Sequence, residues 1–161
     1  MKKLLGIVVL GLMLSGNAYA QLITLTECYL ISYKSSDDQK PPTFKSFKDF
    51  LNRTDDIENQ LYTLDTVTET ITKTWINTDS FLDEWYKEYN TVLEKITKTI
   101  FKITDLGGNV ATAHIAKLGP ADIKSKIDID FESAKVYTYN ISNLGGTERT
   151  VRYTEQCKKQ K

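Results

Sequence analysis

Hydrophobic positions follow three patterns along this chain. An unbroken apolar run, Leu4 to Leu14, stands behind Met1-Lys2-Lys3 and ahead of Ser15-Gly16-Asn17 and the triplet Ala18-Tyr19-Ala20. Short alternating stretches then dominate. Residues 22–33 read as a strand, and residues 34–42 as a polar loop ending in Pro41-Pro42. Phe44, Phe47, Phe50 and Leu51 recur at helical spacing and predict a short helix over residues 43–53. Residues 61–76 form a threonine-rich extended stretch, either one long strand or a hairpin kinked near Asp65. Val67, Ile71 and Trp75 share a face of it with Glu69 and Lys73. Phe81, Leu82, Trp85, Tyr89, Val92, Leu93 and Ile96 return to a 3.6-residue period, so residues 80–95 are expected to be helical. Ser80 and Asp83 form the expected capping box.

From Ile96 the chain turns extended again. Residues 96–104 and 110–118 flank Asp105-Leu106-Gly107-Gly108-Asn109, a hairpin signal. Gly119-Pro120 breaks the run. A meander of three strands follows, over residues 126–131, 135–141 and 148–155, with turns at 132–134 and 142–147. Asp-Leu-Gly-Gly-Asn and Asn-Leu-Gly-Gly-Thr look alike, which leaves a duplicated hairpin open. Together these elements predict one α+β domain dominated by antiparallel sheet. It is a small sandwich or a partly closed barrel, with one or two short helices.

Composition reinforces the strands. Residues 21–161 hold 20 threonines, and β-branched side chains suit a pleated surface. The first twenty residues have the charged start, apolar centre and Ala-x-Ala site of a cleavable secretory signal. The apolar run is too short for a hydrocarbon core, which takes roughly twenty residues. Cleavage after Ala20 leaves residues 21–161 as a single domain without a transmembrane span, periplasmic or secreted. That leader resembles the leaders of small exported proteins of Pelagibacter-type marine alphaproteobacteria. The resemblance covers residues 1–20 and implies a periplasmic address and no activity.

Export changes how the two cysteines are read. Cys28 and Cys157 lack CxxC spacing and have one histidine in the whole chain to join them, which disfavours zinc. In an oxidising compartment an even pair implies a disulfide. The leader holds two lysines and no acid, leaving 19 basic and 21 acidic residues and a net charge near −2. Such a balance does not favour nucleic acid. Asn52-Arg53-Thr54 and Asn140-Ile141-Ser142 match a glycosylation pattern and are taken as chance behind a bacterial-looking leader.

Candidate chemistry is sparse. His114 lies in an apolar strand-like segment with no nucleophile motif beside it, so a structural or half-buried imidazole is expected. Asp128, Asp130 and Glu132 alternate with Ile127, Ile129 and Phe131, which reads as the solvent face of an amphipathic strand. Nucleotide-cradle, nucleophile-elbow and EF-hand motifs are absent. Trp75, Trp85, Tyr86 and Tyr89 form an aromatic cluster. Trp85 and Tyr89 fall on the apolar helical face, leaving Trp75 and Tyr86 as the expected binding surface. No catalytic residue, metal or cofactor is assigned. The expected function is a non-enzymatic exported binding or interaction domain whose partner is an envelope protein or a glycan. Two rivals stand beside it. One is a small envelope hydrolase using carboxylates. The other is an inhibitor of a cell-wall hydrolase, although the paired Ser-Gly-x-x-Tyr motif of lysozyme inhibitors is absent.

Overall fold

A computed structural model describes residues 22–37, 40–53, 57–90, 92, 94–115, 122–144 and 146–160. The leader and its cleavage site, Gly119-Pro120 and the end of the predicted 110–118 strand lie outside the described residues. Eight strands form a closed antiparallel barrel in chain order: β1 (Leu22–Ser35), β2 (Ile57–Asp65), β3 (Thr70–Asn77), β4 (Ile96–Gly107), β5 (Val110–Ile115), β6 (Asp122–Asp130), β7 (Lys135–Leu144) and β8 (Thr147–Lys159). Pairing of β8 with β1 shuts the ring. Two helices interrupt the meander, α1 (Phe47–Leu51) between β1 and β2 and α2 (Asp79–Tyr89) between β3 and β4. The antiparallel fold matches expectation, and the barrel is the form it takes. Among the described residues, no helix is long and apolar enough to cross a membrane.

Alternation along each strand sorts the side chains. Ile71, Ala111, Ala113, Ile127, Ile129 and Val136 are fully buried inside, while Lys102, His114, Lys124 and Arg152 stand exposed outside. Residues 61–76 form a hairpin, with Asp65 paired to Thr70 across the turn. Its carboxylate accepts hydrogen bonds from the Val67 and Thr68 amides at 2.8 and 3.2 Å. The β6–β7 turn repeats this arrangement. Asp130 pairs with Lys135 and accepts from the Glu132 and Ser133 amides at 2.9 and 3.2 Å. Each turn ends on a left-handed residue, Glu69 and Ala134, both at φ 52°.

Both glycine-pair turns are tight. Gly107 faces Val110, and Leu144 faces Thr147. Gly108 and Gly146 take φ of 58° and 86°, which other residues adopt at a cost. Following strand direction, the two turns lie at opposite ends of the barrel.

The helices differ from expectation in their limits. α1 is shorter than the predicted 43–53 because the Phe44 amide donates to the Leu30 carbonyl at 2.9 Å, keeping that residue extended beside β1. Ser46 caps α1 by accepting from the Asp49 amide at 3.1 Å. α2 is capped by Thr78, whose hydroxyl accepts from the Phe81 amide at 3.2 Å. The helix therefore starts before Ser80, and the predicted Ser80–Asp83 box is not its cap. Asn90, at φ 49°, stops it.

One end of the barrel holds the β2–β3, β4–β5 and β6–β7 turns, and its interior is apolar, with Ile23, Leu25, Leu64, Ile71, Phe101 and Val136. The Cys28–Cys157 disulfide joins β1 to β8 there, with Cα atoms 4.1 Å apart. Both helices belong to connections at the opposite end. The β1–β2 ladder runs only from Leu22↔Asp65 to Leu25↔Tyr62. Beyond Glu27, a left-handed residue at φ 52°, β1 stays with β8. Phe44 and Phe50, ring centroids 5.2 Å apart, are buried where α1 packs against β1.

Candidate functional site

Halfway along the barrel the interior turns polar. Glu155 on β8 is 4% exposed. Its carboxylate accepts from the Gln60 amide and the Tyr62 hydroxyl on β2 and pairs with the Lys73 ammonium on β3 at 3.6 Å. Three rings surround that ammonium, with centroids 5.3 Å (Tyr62), 5.7 Å (Trp75) and 5.4 Å (Tyr153) from Nζ. Burial, and then the Glu155 carboxylate, push Tyr62 well above the ordinary tyrosine range, so it remains a donor. Burial pulls Lys73 down, but Glu155 and Tyr153 outweigh it and hold the ammonium above its ordinary range. A cavity of about 220 Å³, reached where β1 leaves β2, touches Glu155, Gln60 and Tyr153. Each charge in this cluster is partnered, the condition on which buried ions are tolerated.

The outer wall is organised differently. Strand register sets Lys102, His114, Lys126, Tyr139, Arg152 and Lys34 side by side across β4, β5, β6, β7, β8 and β1. With neighbouring strands about 4.8 Å apart, this belt is about 24 Å long. Lys102 directly faces His114, His114 faces Lys126, and Arg152 faces Lys34. Arg152 and Lys34 are like charges directly opposite one another on adjacent strands, which opposes stability. Lys126 is relieved by Asp128 at 2.8 Å, and Arg152 lies over the Tyr139 ring at 4.9 Å.

Three depressions follow the belt. One of about 550 Å³ lies between Lys102, His114, Lys124, Lys126, Tyr139 and Ile141. The next, about 340 Å³, shares Tyr139 and contains Asp128, Tyr137, Arg152 and Lys34. The third, about 200 Å³, shares Arg152 and Lys34 and is otherwise walled by Ser35, Ser36 and Thr150. The three adjoin through these shared walls and form a grooved strip with cations along its length, an apolar patch of Tyr139 and Ile141, and hydroxyls at its far end.

The structure separates the predicted binding pair. Trp75 faces inward beside Lys73, while Tyr86 is 51% exposed on α2. Trp85 lies 6.0 Å from Phe81 along α2. His114 is exposed rather than half-buried, because Ala111 and Ala113 take the inward positions on β5 and alternation turns the imidazole out. Among the described residues, the depression beside it is lined by Lys102, Lys124 and Lys126. Asp128 and Asp130 sit on the outer face as expected, accepting from the hydroxyls of Thr112 and Ser133. Ser133 is the first cause, and its amide the second, holding Asp130 below the usual carboxylate range. Among the described residues, no cluster of His, Cys, Asp and Glu could hold a metal ion.

Sequence reasoning missed the belt. Its members are spread from residue 34 to residue 152, and their only local sign is that each occupies an outward position of its strand. No protein family, curated protein or solved structure matches the chain.

Proposed function

We propose that this is a non-enzymatic binding protein of the cell envelope, exported by cleavage after Ala20, that engages an anionic partner along its outer wall. The groove carries the reading. It is a row of adjoining depressions in which Arg152 directly faces Lys34 and Lys102, Lys124 and Lys126 gather at the other end, a concentration of positive charge that costs stability unless an anion answers it. Lys102, Lys124 and His114 have no acidic partner among the described residues. The inner cluster plays a different part. Its carboxylate is occupied by Gln60, Tyr62 and Lys73, so it acts as an internal brace.

Two measurements test this. N-terminal sequencing of the protein recovered from the envelope should begin at Gln21, and a cytoplasmic product beginning at Met1 defeats the export half. Purified oxidised protein should bind at least one of three immobilised anions: a polyuronate, inorganic polyphosphate or phosphatidylglycerol vesicles. Lys102→Ser/Lys126→Ser/Arg152→Ser should weaken that binding at least tenfold while thermal unfolding stays near wild type. Retention of none of the three, or binding indifferent to the triple substitution, rejects the groove as the site.

A further inference from the structure

Resting on the reading of an anionic partner, we infer that the groove takes an acidic glycan, a polysaccharide whose carboxylate-bearing sugars place charge among hydroxyls and flat carbon faces. Charge on the belt is interrupted. Tyr139 stands between Lys126 and Arg152, and the Asp128 carboxylate lies in the same channel. A polymer charged at every step, such as polyphosphate, finds the Lys126 charge there already answered by Asp128 at 2.8 Å. A sugar instead offers that carboxylate hydroxyl donors.

The walls point the same way. Ser and Thr hydroxyls both donate and accept, as does the tyrosine hydroxyl, whereas phosphate oxygens supply acceptors alone. Ser32, Thr154, Ser35, Ser36 and Thr150 line the middle and far end of the groove. Tyr137, 44% exposed, lies beside these hydroxyls, and half-buried Tyr139 adds a platform on which Arg152 is stacked at 4.9 Å. Amphipathic rings next to hydrogen-bonding groups suit a ligand with one apolar and one polar side. Cations at both ends, Lys102 with Lys124 and Arg152 with Lys34, supply contacts for carboxylates several sugars apart.

Titration of the full, oxidised protein with polygalacturonate, its methyl ester, neutral dextran, inorganic polyphosphate, single-stranded oligothymidylate and phosphatidylglycerol vesicles separates the alternatives. Polygalacturonate should bind tightest, and esterification should cost at least tenfold. Tyr139→Ala should weaken polygalacturonate at least fivefold, with Tyr139→Phe restoring most of it. Asp128→Asn should strengthen polyphosphate binding. Tyr137→Ala, at an exposed position, serves as a second probe if Tyr139→Ala does not fold. Tighter binding of polyphosphate, the oligonucleotide or vesicles overturns the glycan and leaves the anionic-partner reading intact. Equal binding of polygalacturonate and its ester also overturns it. Binding to none of the anions removes both.

Discussion

At the scale of single residues, the inner cluster makes a testable statement about pH. Tyr62 and Lys73 both bind their protons more tightly in the folded protein than they would when free. Groups raised in this way contribute stability below their unfolded values, near 10, and lose it as pH rises toward the folded values. Urea unfolding should therefore show a midpoint that is flat from about pH 7 to 9 and falls above about pH 10. Tyr62→Phe should flatten part of that decline. An identical decline in Tyr62→Phe would show that the ring hydroxyl plays no part. Lys73→Met should cost about 3–5 kcal/mol, since it strands a buried carboxylate. Loss of much less would mean that Gln60 and Tyr62 suffice. Asp65 has the opposite sign. Amide hydrogen bonds from Thr68 and then Val67 lower it, so its contribution disappears only as pH falls below the ordinary carboxylate range.

Elements show where sequence pattern succeeds and where packing overrules it. Strand positions β6 to β8 were legible because Ile127, Ile129, Val136 and their polar neighbours alternate cleanly. α2 was legible from its 3.6-residue period. Its cap was not, since Ser80 is intrinsically the better capping residue and yet Thr78 takes the position, accepting from the Phe81 amide. α1 lost its first residues because Phe44 bonds to β1, a long-range contact invisible to local periodicity. At the β2–β3 turn the left-handed Glu69 is an exposed non-glycine residue. Glu69→Gly should raise stability by about 0.5–1 kcal/mol, the difference between relieving left-handed strain and loosening the unfolded chain. A lower urea midpoint would show that the Glu69 side chain makes a compensating contact. The disulfide ties β1 to β8 across 129 residues of sequence. Cys28→Ala/Cys157→Ala should cost about 2–5 kcal/mol in urea unfolding. An unchanged midpoint would mean that the β1–β8 ladder holds the seam unaided.

For the whole molecule, the near-balanced charge of residues 21–161 conceals a strongly uneven surface. Binding at the outer groove should be electrostatic, falling about tenfold or more between 50 and 200 mM salt. Salt-insensitive affinity would place the contact elsewhere. By itself, the sequence determined what depends on neighbours along the chain: the alternation of the strands, the tight glycine turns and the pairing of two cysteines that have no other partners. It also carries the expectation of an export leader. Only tertiary structure decided that the sheet closes, that Trp75 points inward to Lys73 while Tyr86 faces solvent, and that Lys102, His114, Lys126, Arg152 and Lys34 form one belt. The reason is register. A shift of a single residue in any strand sends its side chains to the other face. Tight turns set the register within each hairpin, but the pairing of β1 with β8, 129 residues apart at the disulfide, is a long-range contact that no local run of residues specifies.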